Sequence, residues 1–138
     1  RIPGEAVPGV RVISESVSQD MRRLLRRAVE EGTGKQAAAP GYLVGGKTGT
    51  AEKANAGGYN GRALISSFVG IFPITDPQFV VLVMLDEPKG NESTFNYAAA
   101  GWNAAPTVGR IIARIGPMLG VAPVDEADRS MLAAAWKP

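Results

Sequence analysis

Apolar positions along the chain change period twice, and each change marks an element. Val17, Met21, Leu24, Leu25, Ala28 and Val29 recur at helical spacing, which predicts an amphipathic helix. Ser16, with Gln19 three residues on, has the form of a capping box at its start, and Gly32 stops it. Arg22, Arg23, Arg26 and Arg27 lie on or beside the opposite face, which reads as a solvated charged surface partly offset by Glu30 and Glu31. Gly32 to Pro40 reads as a loop. Tyr42 to Val44 is a short apolar strand, and Ala54 to Gly61, rich in Gly and Asn, is a loop or flexible hairpin tip. Leu64 to Phe72 and Phe79 to Leu85 are two further strands, separated by the turn Thr75-Asp76-Pro77-Gln78. So short a turn makes them antiparallel, and the first pair is expected to follow suit. The last strand is almost unbroken apolar, as in a strand covered on both faces.

Arg1 to Ile13 holds Pro3, Gly4, Pro8 and Gly9 and reads as an extended opening segment. Pro88 to Asn103 is irregular. Pro106 suits the first turn of a second helix, with Val108, Ile111, Ile112 and Ile115 as its buried stripe and Pro117 and Gly120 at its end. Val121 to Pro138 reads as a tail with one turn around Met131 to Trp136. The order is helix, three antiparallel strands, helix: an α+β arrangement in which the third strand lacks a second covering element.

Composition narrows the chemistry. The 138 residues include no cysteine and no histidine. Thiol nucleophiles, disulfides, cysteine-bearing zinc sites and imidazole shuttles are therefore excluded on this chain, and acid–base work falls to Lys, Glu, Asp or Tyr. Lysine suits it, because its pKa responds readily to burial and to neighbouring charge. A net charge of +2 gives no footprint for nucleic acid. No apolar run reaches the roughly 18 residues of a membrane span, and no signal peptide is evident. A first residue that is Arg rather than Met leads to the expectation of an upstream portion.

The candidate chemistry centres on Lys47-Thr48-Gly49-Thr50. Gly41 to Thr48 formally fits the phosphate-binding Gly-x-x-x-x-Gly-Lys-Thr pattern, and Val81 to Glu87 resembles the acidic strand that accompanies it. That pattern requires a strand before the loop and a helix after it. Here Gln36 to Pro40 precede it and a Gly/Asn-rich stretch follows, so the context opposes nucleotide binding. Secondary candidates are weaker. Tyr59 reads as a rim contact rather than a proton-transfer group, and Trp102 as a packing residue rather than the lining of a groove. Asn91-Glu92-Ser93 is a low-information glycosylation sequon, and Asp86 and Glu87, adjacent on a strand, should face opposite sides. Glu52 receives no role.

Lys-Thr-Gly at the edge of a strand is also one of three signatures of the penicillin-binding and class A β-lactamase superfamily. The longer stretch Pro40-Gly41-Tyr42-Leu43-Val44-Gly45-Gly46-Lys47-Thr48-Gly49-Thr50-Ala51-Glu52 closely resembles the third signature of class B penicillin-binding proteins. The resemblance continues through Arg11-Val12-Ile13-Ser14, Val29 to Gly34, Ser66 to Gly70, Val80 to Lys89 and Ala104-Ala105-Pro106, in family order, over roughly residues 11 to 123. Asp86-Glu87-Pro88-Lys89 looks like the division-specific members.

The resemblance implies a β-lactamase/transpeptidase-like antiparallel sheet flanked by helices, of which this chain supplies three strands and two main helices. It implies a peptidoglycan D,D-transpeptidase that works through a serine acyl-enzyme, is a target of β-lactams and acts in septal wall synthesis. In that reading Lys47 is a cation beside the catalytic serines, and Thr48 and Thr50 offer hydroxyls to the substrate carboxylate. Gly49 leaves room for substrate to lie along the strand, and the Thr50 N–H serves the oxyanion. No cofactor or metal is implied. The sequence contains neither Ser-x-x-Lys nor Ser-x-Asn. The chain is then the C-terminal segment of a transpeptidase domain, inactive alone, with the nucleophile-bearing part upstream. Its implied partners are that upstream part, stem peptides, β-lactams and division proteins. Its implied place is the periplasmic face of the bacterial inner membrane, held by an upstream anchor. A class A β-lactamase or carboxypeptidase is the nearest enzymatic rival, and a non-enzymatic β-lactam- or muropeptide-binding sensor of the same fold is the other alternative.

Overall fold

Helix α1 spans Glu15–Glu30. Its cap is Ser14, one half-turn earlier than the Ser16 expected from the capping-box pattern. Ser14 is extended (φ −65°, ψ 160°), and its Oγ accepts from the Val17 N–H at 3.2 Å. Ser16 instead sits inside the first turn with its Oγ 2.9 Å from that of Ser14. In the computed structural model, which describes residues 9–55, 57–125, 127–128 and 130–131, α1 is also rotated relative to its apolar stripe. Leu25, Ala28 and Val29 turn inward, whereas Val17, Met21 and Leu24 are about half exposed (47%, 48% and 59%). Two of the four arginines point in. Arg22 donates to the Thr75 carbonyl at 3.0 Å, and Arg26 donates to the Val44 carbonyl at 2.9 Å while pairing with Glu30 at 3.0 Å. Only Arg23 and Arg27 meet the solvated expectation, pairing along the surface with Asp20 and Glu31. Long guanidinium arms tie the helix to carbonyls that no strand partner reaches, so the helix docks by hydrogen bonding as well as by apolar contact.

A 3₁₀ turn at Lys35–Ala37 and the fully buried Ala37 carry the chain to the sheet. Strand β1 runs Gly45–Asn55, not Tyr42 to Val44. Those three residues are buried in the core before the strand begins. Strand β2, Gly58–Phe72, is longer than expected at its start. The stretch read as a loop or hairpin tip is a hairpin whose ladder runs almost to its end: Lys53↔Asn60, Ala54↔Tyr59 and Asn55↔Gly58 pair, and Gly58 takes φ 111° to close it. Gly and Asn hid the strand ends, because composition registers the turn and not the pairing around it. An irregularity between Glu52 and Lys53 shifts the register there.

Strand β3 is Phe79–Asp86, and the sheet order is β1-β2-β3, antiparallel throughout as expected. Helix α2, Ala104–Ile115, covers one face. Phe68, Gly70 and Phe72 of β2 lie opposite Val83, Val81 and Phe79 of β3, and Val108 and Ile112 pack on them. A Cβ at Gly70 would come within 2.6 Å of Val108 Cγ1, so glycine is what lets α2 lie close. Full burial of a side chain such as Ile112 contributes about 1.5–3 kcal/mol. Of the expected α2 stripe, Val108 and Ile112 are buried and Ile111 and Ile115 half-buried. The cap is Asn103, whose Oδ1 accepts from Ala104 N–H at 2.6 Å, and Pro106 is the third residue of the helix.

The other face of β3 is open. Val80, Leu82 and Met84 are 67%, 57% and 62% exposed. This fits the expectation that the chain lacks a second covering element for its third strand: among the described residues the helix packed on β3 is α2, on the opposite face. At its end the chain folds back: Tyr42 Oη donates to the Val121 carbonyl at 3.0 Å, and Val124 N–H donates to the Gly41 carbonyl at 3.0 Å. Burial pushes the Tyr42 hydroxyl pKa upward. Residues 1–8 of the opening segment and 132–138 of the expected last turn lie outside the described residues.

Candidate active site

Strand alternation divides the signature between two faces. Lys47 and Gly49 pair with Val69 and Ser67 on the open face, while Thr48 and Thr50 pair with Phe68 and Ser66 on the α2 face. Because β1 is the outer strand, its far edge carries unpaired backbone groups. The Gly49 carbonyl accepts from Ser67 Oγ at 3.3 Å and so faces β2. Successive residues aim their peptide groups oppositely, so the Thr48 carbonyl and Thr50 N–H face outward. Lys47 is exposed, and its Nζ folds over this edge to the Thr48 carbonyl at 3.0 Å and Thr48 Oγ1 at 3.3 Å.

The chain itself constrains each neighbouring residue. Thr48 Oγ1 lies 2.8 Å from Thr33 Oγ1, joining the signature to the loop after α1. A Cβ on Gly49 would sit 2.7 Å from Ser67 Oγ, which gives that glycine an internal reason besides room for a ligand. Thr50 Oγ1 accepts from the Ala100 N–H at 3.2 Å, which leaves its own proton to donate elsewhere.

That last bond belongs to a brace. Ser66, fully buried and directly opposite Thr50, donates to the Ala98 carbonyl at 2.6 Å, and Asn103 Nδ2 donates to the same oxygen at 2.8 Å. The segment from Ala98 to Trp102 is thereby fixed beside β1. Between it and the loop after α1 lies a cavity of about 430 Å³, lined by Thr33, Lys35, Gln36, Thr48, Thr50 and Trp102 among others. Trp102 is half-buried, stacked on Tyr97 (5.6 Å, 17°) and edge-on to Phe95 (5.4 Å, 74°). It packs as expected and also walls the cavity.

Thr33, Lys35, Ser66 and Asn103 were not singled out from sequence. Ser66 had a signal: it occupies the apolar stripe shared by Phe68 and Phe72, where a polar side chain must find a partner. The others are brought in by loops whose paths pattern does not reveal. The Tyr59 side chain lies outside what is described. Asp86 and Glu87 do act together, contrary to expectation. Glu87 leaves the strand with φ 47°, and both carboxylates reach Lys53 Nζ at 2.9 Å. The Lys53 pKa is raised above its usual value, first by the hydrogen bond it donates to Glu87 and then by the one it donates to Asp86. Asn91 Oδ1 caps its own turn, accepting from Thr94 N–H at 3.1 Å and Ser93 Oγ at 2.7 Å. No cluster of metal-ligating side chains occurs among the described residues.

An outward N–H, a carbonyl, a hydroxyl and an ammonium along one free strand edge can bind an extended peptide by strand addition and hold its negative end. The phosphate-loop pattern has no such support, since Lys47 and Thr48 lie within β1 and the chain continues as strand to Asn55. Residues 4–113 match the penicillin binding protein transpeptidase domain, and the chain belongs to that family. Among curated relatives it is 45% identical over 128 residues to a probable peptidoglycan D,D-transpeptidase FtsI of Caulobacter vibrioides, covering 86% of this chain and 22% of that protein. It is 47% identical over 112 residues to stage V sporulation protein D of Bacillus subtilis, covering 81% of this chain and 17% of that protein. The chain thus spans about a fifth of the length of these relatives. The transpeptidase domain of Burkholderia pseudomallei penicillin-binding protein 3 superposes with a TM-score of 0.71 at 37% identity, covering 83% of this chain and 34% of that one. Penicillin-binding protein 3 of Mycobacterium tuberculosis, complexed with ampicillin, superposes with a TM-score of 0.72 at 32% identity, covering 88% and 28%.

Proposed function

We propose that the complete protein is a serine-type peptidoglycan D,D-transpeptidase and that this chain supplies the strand-edge half of its active site. The observation that carries the reading is the free edge of β1, where the Lys47 ammonium, the Thr48 carbonyl and the Thr50 N–H line up without a neighbouring strand. A stem peptide ending in D-Ala-D-Ala lies along that edge as an added strand. A serine from a Ser-x-x-Lys segment elsewhere in the polypeptide attacks the penultimate carbonyl. The Thr50 N–H stabilises the oxyanion, an interaction worth about 3 kcal/mol in comparable sites. Lys47 assists proton movement between serine and leaving group, and Thr48 and Thr50 bind the terminal carboxylate through their hydroxyls. The C–N bond breaks, D-Ala leaves as the protonated amine, and an ester joins serine to the peptide. An amine from a neighbouring stem then displaces the serine. A β-lactam acylates the same serine by opening its ring amide.

The ampicillin complex of the mycobacterial neighbour supports β-lactam binding, and the FtsI name of the Caulobacter relative supports a role in septal wall synthesis with division proteins as partners. No helix among the described residues is long and apolar enough to cross a membrane, so an anchor to the inner membrane, with the domain on its periplasmic face, belongs to another segment.

The test is intact-mass spectrometry of the complete protein after incubation with benzylpenicillin. One penicilloyl adduct is expected, mapping to the Ser-x-x-Lys serine. Lys47→Ala should slow its formation by about 10²–10⁴-fold, the usual worth of a proton-transfer group, with the melting temperature unchanged. A folded complete protein that takes no adduct, or a Lys47→Ala variant acylated at the original rate, would refute the assignment.

A further inference from the structure

The cavity beside Thr48 and Thr50 has a charge character that the signature residues do not explain. Among the described residues no carboxylate lines it, and Lys35 is the one ionisable side chain that does. Lys35 makes no side-chain hydrogen bond or ion pair among the described residues, and it is exposed. Its backbone is nonetheless rigidly held. The turn that carries it is fastened by Gly34 N–H to the Ala28 carbonyl at 3.0 Å and by Ala37 N–H to the Gly34 carbonyl at 2.8 Å, with Ala37 fully buried beneath. Thr33, two residues before, is bonded to Thr48 itself. The opposite wall closes on the same loop, since a Cβ at Gly101 would lie 2.7 Å from the Thr33 carbonyl. Lys47 does not serve this space in the same way. It springs from the other face of the sheet, and its Nζ is drawn onto the Thr48 carbonyl and hydroxyl at the edge.

We propose that Lys35 is a specificity-determining residue whose ammonium selects ligands ending in a carboxylate, holding that group between itself and the hydroxyls of Thr48 and Thr50 with Trp102 as the apolar wall. Hydroxyls alone discriminate poorly between a carboxylate and a neutral ester, because they can donate to either. An unpaired ammonium in a site without acidic groups adds a term that only the anion receives. The proposal rests on the transpeptidase reading and adds to it a cation that acts in binding rather than in bond making.

The complete protein, its Lys35→Met variant and its Lys35→Arg variant are each titrated with benzylpenicillin and with benzylpenicillin methyl ester, and the pre-covalent binding constant and the acylation rate constant are separated. Lys35→Met should weaken binding of the acid about fivefold, the scale of an exposed ion pair. It should leave the acylation rate constant unchanged and leave the ester unaffected. Lys35→Arg should restore binding of the acid, and added salt should shrink the difference. Equal weakening of acid and ester, or no weakening of either, overturns the proposal while the transpeptidase reading stands. Failure of the wild-type protein to be acylated by the acid at all overturns both.

Discussion

The two faces of the sheet are built on opposite terms. On the α2 face the centre is closed: Phe68, Phe72, Val108 and Ile112 are fully buried, Val81, Val83 and Leu85 of β3 are half-buried against them, and the one polar side chain buried there, Ser66, is bonded to the Ala98 carbonyl. On the other face, Lys47 projects beside Val69 and Leu82, and the β3 side chains stand largely in solvent. Both faces are apolar by sequence, yet among the described residues the second is covered only at the start of β1, where Gly45 lies against Ile74 and α1, and the β3 side of it has no cover. A face closed by its own chain reports on stability. A face that is apolar, open and carries the signature lysine reports on assembly with something more.

The largest effect should therefore come from the closed face. Phe68→Ala removes a fully buried ring from the centre of the cluster and should cost about 3–5 kcal/mol, read as a fall in the denaturation midpoint of the complete protein. A loss below 1 kcal/mol would mean that the core is not organised around β2. Leu82→Ala, on the adjacent strand but the opposite face, sharpens the contrast. Leu82 is 57% exposed, so this chain alone gives the substitution little to lose. In the complete protein it should cost about 2 kcal/mol, because the face is expected to be covered there. Near-neutrality would show that the face stays in solvent. For the same reason residues 1–138 expressed alone should aggregate, and a sharp, reversible melt of that isolated chain would remove the need for a cover.

Ser66→Ala comes next, at about 1–3 kcal/mol for a lost buried hydrogen bond. It should also loosen the segment that walls the cavity. Fluorescence from Trp102 and Trp136 reads this, provided a Trp136→Phe background isolates the first. An unchanged Trp102 signal would separate Ser66 from the wall and leave it a purely internal bond.

How much of this was legible in sequence follows the same division. Antiparallel pairing of β2 and β3 and the position of α2 came from period and turn chemistry, which are local, whereas the edge location of Lys47 was implied only by the family resemblance, since the strand read from the pattern ended at Val44. The inward turn of Arg22 and Arg26 was not legible, because it depends on carbonyls at Thr75 and Val44 that lie distant in sequence. An arginine's charge predicts solvent until such an acceptor is present. The hairpin was legible as a tip but its strands were read too short, because Gly and Asn weaken strand propensity while register alone holds Ala54 and Asn55 in the ladder. The cavity was illegible for a similar reason: its walls, near Thr33 and near Trp102, come from loops on either side of the sheet sequence. Their meeting is fixed by Thr48, Thr50 and Ser66 rather than by any motif of their own.

The smallest expected effect tests the open end of the hairpin. Lys53 binds Asp86 and Glu87, and strand alternation alone would have kept those two carboxylates apart. Only the left-handed turn at Glu87 brings them together. The ammonium's pKa is raised above its ordinary 10.5 by these two hydrogen bonds. A group whose folded pKa is raised stabilises fully below its unfolded value, and that contribution disappears as pH climbs through the folded value. The interaction should accordingly be constant through neutral pH and lost only in the alkaline limb above about 10.5. Thermal melts of the complete protein and its Lys53→Met variant should then run parallel from pH 7 to 9 and converge at higher pH. Added salt should narrow the neutral-pH gap, because the groups are exposed and screened. Curves that stay parallel through the alkaline limb would show that Lys53 holds the hairpin through its aliphatic stem rather than its charge. The end of β3 would then owe its geometry to the Glu87 turn alone.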